Sequence, residues 1–144
     1  MVVVTIFLLA LSDRKVDLAC IQETRSKGSS CKFYGAKGQR YKLFWMGGGE
    51  RLDGIRIFVA EKWVDGVVSV ERHSKRVLIL RMVLDNGLLN VLSVYAPHSG
   101  KPEEEKESFW NEVFHVVSCI PQNEMVVLAG DINGHIGSSY AGYD

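Results

Sequence analysis

Cysteine is scarce in this chain, and its three thiols, Cys20, Cys31 and Cys119, form no Cys-x-x-Cys pair. That spacing argues against zinc, and an odd count without a convincing export signal points to a reducing, intracellular compartment, nuclear or cytoplasmic. Neither sign of charge is in excess, since 17 Lys and Arg face 17 Asp and Glu. A global field that would draw in nucleic acid or an acidic membrane is excluded, and any polyanion site has to come from local patches. The apolar run at residues 2–11, broken only by Thr5, is far too short to span a bilayer. It follows Met1 without a basic segment, which fits a core segment better than a signal peptide, although Ala10, Leu11 and Ser12 faintly resemble a cleavage site. Repeats, low-complexity tracts and interdomain linkers are absent. Gly47, Gly48 and Gly49 have neither the G-x-G-x-x-G spacing nor the following Lys-Ser/Thr of a phosphate loop.

What is present is a chain of 144 residues with 47% hydrophobic side chains, enough for one domain with a real core. Residues 16–21 form a short apolar stretch ending at Gln22, Glu23 and Thr24, which reads as a strand with a carboxylate at its exit. Such a group can ligate Mg²⁺, which takes one or two hard oxygen ligands and keeps several waters, or it can be an ordinary exposed charge. Residues 25–42 contain Arg25, Lys27, Lys32, Lys37, Arg40 and Lys42 but no acid, interleaved with Phe33, Tyr34 and Tyr41. This composition reads as a basic, mobile loop able to contact phosphates and stack a base, or else as a solvated loop with ordinary lysines.

Strands are expected at residues 41–46, 55–60 and 67–70, the last two separated by a polar turn around Glu61, Lys62 and Asp65. The clearest local structure is a hairpin of residues 77–84 and 88–95 joined by Asp85, Asn86 and Gly87. Both strands are apolar at nearly every position, so both of their faces have to be covered. The second ends in Tyr95, Ala96, Pro97 and His98, with proline stopping the ladder. Pro102 followed by three glutamates is a helix start. The helix should run to about residue 120, with a broad buried stripe of Phe109, Val113, Val116, Val117 and Ile120 flanked by Trp110 and Phe114. The apolar run at residues 125–129 reads as a buried strand, and Gly130, Asp131, Ile132 and Asn133 emerge at its C-terminal end, where ligand groups concentrate in open α/β sheets. Asp131 offers an acceptor and Asn133 an amide donor to the same space. An Asx-type turn closing the strand would use the same residue types.

Taken in order, Asp17-Leu18-Ala19-Cys20-Ile21-Gln22-Glu23-Thr24, Phe58-Val59-Ala60-Glu61-Lys62-Trp63, Val94-Tyr95-Ala96-Pro97, Glu103-Glu104-Glu105-Lys106 with Phe109-Trp110, and Gly130-Asp131-Ile132-Asn133-Gly134-His135 form a specific set. On these passages the sequence resembles the endonuclease/exonuclease/phosphatase superfamily, which includes DNase I and the apurinic/apyrimidinic endonucleases. More narrowly it is similar to the endonuclease domain of RTE-type non-LTR retrotransposons and to craniofacial development protein 2-like chains. The resemblance covers residues 14–144 and implies a partial four-layer α/β/β/α sandwich of the DNase I-like type.

By that resemblance Glu23 corresponds to a Mg²⁺ ligand, with Mn²⁺ as a substitute, and Tyr95 to the tyrosine that contacts the scissile phosphate. Asp131 corresponds to the aspartate that orients and helps deprotonate the attacking water, and Asn133 to the amide that stabilises the oxyanion. Arg25, Lys27, Lys32 and Arg40 are the candidate nucleic-acid contacts, and DNA is the partner expected in the parent family. Three departures accompany the matches. Residues 1–11 contain no counterpart of the family's first-strand asparagine, and the C-terminal aspartate–histidine segment has no counterpart up to Asp144, for which His135 cannot substitute. Arg56 stands where related sequences have a second glycine, and a large cation there is expected to crowd the strand.

The implied function is a Mg²⁺-dependent phosphodiesterase of endonuclease type, weak or inactive in this form. The alternatives are a non-catalytic nucleic-acid or protein binding module derived from a retroelement, and a phosphatase acting on small phosphoesters. A domain lacking those segments should also expose sheet edges that favour self-association, and no membrane partner is expected.

Overall fold

The computed structural model describes residues 16–24, 29–36, 39–46, 54–85 and 87–132. Their strands form two four-stranded sheets. The first has the order β1-β4-β3-β2, built from β1 (Leu18–Thr24), β2 (Ser29–Ala36), β3 (Gln39–Met46) and β4 (Gly54–Ala60). The second has the order β5-β6-β7-β8, built from β5 (Val67–Ser74), β6 (Val77–Leu84), β7 (Gly87–Tyr95) and β8 (Met125–Asp131). A single turn of helix, α1 (Glu61–Val64), joins the sheets, and α2 (Glu103–Ser118) makes the crossover from β7 to the parallel strand β8.

The period-two placement of side chains decides which residues fill each layer. Ile55, Ile57 and Val59 of β4 meet Leu78, Leu80 and Met82 of β6 and Val91 of β7 between the sheets. On the other face of the second sheet, Val77, Leu92, Val94 and Ala96 pack against Phe109, Val113 and Val116 of α2. This is why β6 and β7 carry apolar residues on both faces. Among the described side chains of β3 and β4, outer-face positions of the first sheet are buried as well. Leu43 pairs with Phe58 on the side away from Ile57, and these two with Tyr41 are at most 2% exposed. The Tyr41 hydroxyl donates to the Val16 carbonyl oxygen at 2.8 Å, and burial pushes its pKa up, with the Asp17 carboxylate adding to the rise.

The β6–β7 hairpin is tighter than its sequence suggested. Leu84 pairs directly with Gly87, leaving only positions 85 and 86 between the strands, and Gly87 has φ +153°, which a side chain would strain. The helix α2 begins after Pro102, as expected, and three glutamates occupy its first turn.

Four expectations need correction. The basic stretch at 25–42 contains no long loop over its described part; β2 and β3 pair continuously from Ser29↔Met46 to Ala36↔Gln39. Glu61 to Val64 form a turn of helix, not an open turn. The buried stripe of α2 is narrower than expected, with Phe114 65% exposed and Val117 37% exposed. Most consequential, β8 is not a buried strand. It is the last strand of its sheet among the described residues, and Met125, Val126, Val127 and Leu128 are each 38–50% exposed. Residues 1–15, 47–49 and 133–144, which hold the N-terminal apolar run, the glycine triplet, Asn133 and His135, lie outside the described residues.

Arg56 does not break β4. It pairs with Ile21 on one side and Trp45 on the other, and the irregularity of the β1–β4 ladder falls just beyond it, between Ile21 and Thr24.

The entry to β8 is fixed by a polar network absent from the sequence reading. Buried Asn90 of β7 donates from Nδ2 to Glu124 Oε1 at 3.0 Å and to the Met125 carbonyl at 3.2 Å. Arg81 donates to Asn90 Oδ1 at 3.2 Å and to Glu124 at 3.3 Å. The Asn90 hydrogen bond, and then those from Arg81, hold the Glu124 carboxyl below the ordinary carboxylate value against an opposing desolvation. A depressed native value means that Glu124 contributes stability above the unfolded carboxyl value, and that this is lost as pH falls through the lower native value. Unfolding midpoints measured from neutral to acid pH should therefore fall less steeply on the acid side for Glu124→Gln than for the parent chain. Identical slopes would show that Glu124 is not linked to folding.

Candidate active site

The two strands that carry the motif side chains run parallel, so their C-terminal ends open on the same edge of the second sheet. Tyr95 is the last residue of β7 and Asp131 the last of β8, and the two are direct register partners. The ladder continues one step further, since the Ala96 amide donates to the Asp131 carbonyl at 2.8 Å. Both side chains are half-buried, while Ala96 and Pro97 behind Tyr95 are buried. Gly130, just before Asp131, has φ +130°, a conformation that L side chains rarely adopt, so the glycine is required by the backbone that presents the aspartate.

Across the interface β1 lies over β7 and β8. Its Cys20 is half-buried and hydrogen-bonded to Ser93 of β7; burial pushes the thiol pKa up, and the Ser93 hydrogen bond draws it partly back. Glu23 is on the last stretch of β1, within the irregular part of the ladder, and its side chain is outside the described part. The fold thus brings together the strands bearing Glu23, Tyr95 and Asp131, while Asn133 lies beyond the described residues.

No group of three or more His, Cys, Asp or Glu among the described residues could hold a metal ion. The donor chemistry of the motif asks for less: one or two carboxylates, with water and a phosphate completing the shell, suit Mg²⁺. Among the described side chains at this edge, Asp131 offers a half-buried carboxylate.

Of the candidate nucleic-acid contacts, Arg25 and Lys27 are outside the described residues and Lys32 is on β2 without a described side chain. Arg40 is exposed at the start of β3 and pairs with Glu61 at 3.3 Å, which offsets part of its charge.

The structure adds a residue that no motif indicated. Arg76, in the turn between β5 and β6, is 5.7 Å from the Tyr95 ring and donates to the Tyr95 carbonyl at 3.0 Å. It also pairs with Glu105 of α2 at 2.9 Å, and that hydrogen bond is the main reason the Glu105 carboxyl lies below its ordinary value. Only the adjacent Lys75-Arg76 dipeptide marks the place in the sequence.

Comparison with solved structures follows this geometry. Humanized zebrafish TDP2 carrying 14 mutations superposes with a TM-score of 0.67 at 15% identity, over 95% of this chain and 60% of that one. ANGEL2, described as a 2′,3′-cyclic phosphatase and crystallised with adenosine-2′,3′-vanadate, superposes with a TM-score of 0.55, also at 15% identity, over 95% of this chain and 45% of that one. The chain has a DNase I-like fold. Both neighbours belong to the endonuclease/exonuclease/phosphatase superfamily, and this chain spans less than two thirds of the length of either. No protein-family model matches the sequence, and no curated protein does. Within this DNase I-like frame the described residues supply the two sheets and one covering helix layer of the expected α/β/β/α sandwich. Among them, no helix is long and apolar enough to cross a membrane.

Proposed function

We propose that this chain is the core of a divalent-metal-dependent phosphodiesterase of nucleic-acid endonuclease type, derived from a non-LTR retrotransposon and weak or inactive by itself. The observation that carries the reading is the direct pairing of Tyr95 with Asp131 at the open edge of the second sheet. In this reading the Asp131 carboxylate orients the attacking water and takes its proton, while Tyr95 contacts the phosphate under attack. The amide of Asn133, two residues further on, donates to the oxyanion that develops at phosphorus. Glu23 would hold Mg²⁺, or Mn²⁺ in its place, and the bound cation would neutralise the growing phosphate charge. DNA is the substrate proposed, with Arg25, Lys27, Lys32 and Arg40 contacting its backbone. The aspartate–histidine pair of the family, and its first-strand asparagine, have no counterpart among residues 1–144.

A second reading, a retroelement-derived module that binds nucleic acid or protein without cleaving, draws on the exposed apolar strand β8. Nicking of supercoiled and abasic DNA in Mg²⁺ separates the two. The expected result is little nicking by the chain alone and clear nicking once a C-terminal segment carrying the aspartate–histidine pair is appended. Failure of both proteins to nick removes the enzyme reading. A salt titration of DNA binding then distinguishes a phosphate-contacting module, whose affinity falls steeply with salt, from a protein-binding one.

A further inference from the structure

We infer that Arg76 is a positioning residue for Tyr95, holding the end of β7 from three directions and tying it to the N-terminal half of α2. The inference rests on the proposed phosphodiesterase site, because it gives Tyr95 a task that depends on where its ring and hydroxyl lie.

Tyr95 is a strand-end residue, and strand ends fray unless something holds them. The Tyr95 amide donates to the Arg76 carbonyl at 2.9 Å, and Arg76 Nη1 donates back to the Tyr95 carbonyl at 3.0 Å. The guanidinium centre lies 5.7 Å from the centroid of the Tyr95 ring, within the range of a cation–π contact. Its other nitrogen, Nη2, donates to Glu105 Oε1 at 2.9 Å. The turn that carries Arg76 is itself fastened, since the Arg76 amide donates to Ser74 Oγ at 3.1 Å. The Arg76 side chain is only 16% exposed, so these interactions are poorly screened by solvent.

A planar, forked guanidinium can serve a carbonyl, a carboxylate and an aromatic face together. A lysine ammonium in the same place would keep the charge but lose the fork. Displacement of a group that contacts the reacting phosphate by about 1 Å can cost about 10²-fold in rate. Arg76 therefore acts through Tyr95, and no contact of its own with substrate is invoked.

The test uses Arg76→Lys, Arg76→Met and Glu105→Gln in the nicking-competent extended chain, with tyrosines replaced by 3-fluorotyrosine for ¹⁹F NMR. The Tyr95 line is assigned by its loss in Tyr95→Phe. In Arg76→Met the Tyr95 line should shift and sharpen while the Tyr41 line stays in place, and kcat should fall about 10- to 100-fold with KM nearly unchanged. Arg76→Lys should fall between Met and the parent. Added ethylguanidinium should restore part of the Arg76→Met rate and return the Tyr95 line toward its parent position. Glu105→Gln alters a partly exposed carboxyl, should fold normally, and should move the same line by a smaller amount. An unmoved Tyr95 line in Arg76→Lys and Glu105→Gln overturns the positioning role whatever the rates are. An inactive parent chain whose Tyr95 line responds to these substitutions overturns the phosphodiesterase reading instead.

Discussion

Asp131→Asn is expected to lower DNA nicking by the extended chain about 10²- to 10⁴-fold, the usual worth of a general base. The substitution is nearly isosteric and removes the proton acceptor while keeping a polar group. The ladder should survive it, because the pairing with Tyr95 and the 2.8 Å bond from the Ala96 amide use main-chain atoms. Loss of rate should therefore appear with little change in the unfolding midpoint, and kcat should fall with kcat/KM, as for a group acting in the transition state. A rate within about threefold of the parent would remove Asp131 from the chemistry. A large drop in the unfolding midpoint would mean that the carboxylate has a structural task instead.

The largest effect on stability is expected from Leu80→Ala. Leu80 is fully buried between the sheets, on the middle of β6, with neighbours from β4 and β7 that cannot close over the gap without moving a strand. Truncations of this kind cost about 2–5 kcal/mol, the transfer loss plus the cavity left behind. Against a typical native stability of about 5–15 kcal/mol, that is a large share. The matching control is Phe114→Ser on α2, where a ring that is 65% exposed should change stability by no more than about 0.5 kcal/mol despite its size. Denaturant unfolding of the two variants checks the pair. Equal losses would mean that the layer assignment is wrong.

The contrast between Leu80 and Phe114 shows where the sequence informs and where it does not. The β6–β7 hairpin was legible because two long β-rich runs flank a two-residue turn and a glycine, all local signals. The start of α2 was legible for the same reason, proline and three acids falling on consecutive positions. Tyr95 and Asp131 could be singled out because both close apolar strands, and the fold sets these strand ends in register.

The misreadings concern neighbours rather than residues. Five apolar residues from Met125 to Ala129 look alike whether a strand lies in the middle of a sheet or at its border; their exposure depends on what pairs beyond β8. The β2–β3 hairpin was hidden by a composition of lysine, glycine and serine, although its two strands are consecutive and only positions 37 and 38 separate Ala36 from its partner Gln39. Arg76 belongs to no motif at all. Its relation to Tyr95 exists only because the turn after β5 folds back to the end of β7, 19 residues away in sequence.

The parallel pairing of β7 with β8 also bears on the order in which the chain acquires its site. The β5–β6 and β6–β7 pairs are antiparallel neighbours joined by short turns, so they need little loop closure. The β7–β8 pair has to wait for α2 to form and dock before Met125 can find Leu89. In a growing polypeptide that pair is the last of the described strand pairs to become available, because β8 is the last of the described strands to be synthesised and distant pairings form slowly. Tyr95 meets Asp131 only at this step. A chain that stops short of β8 is expected to keep the β6–β7 hairpin, to lose the contacts that β8 makes with β1, and to lack the paired edge of Tyr95 and Asp131.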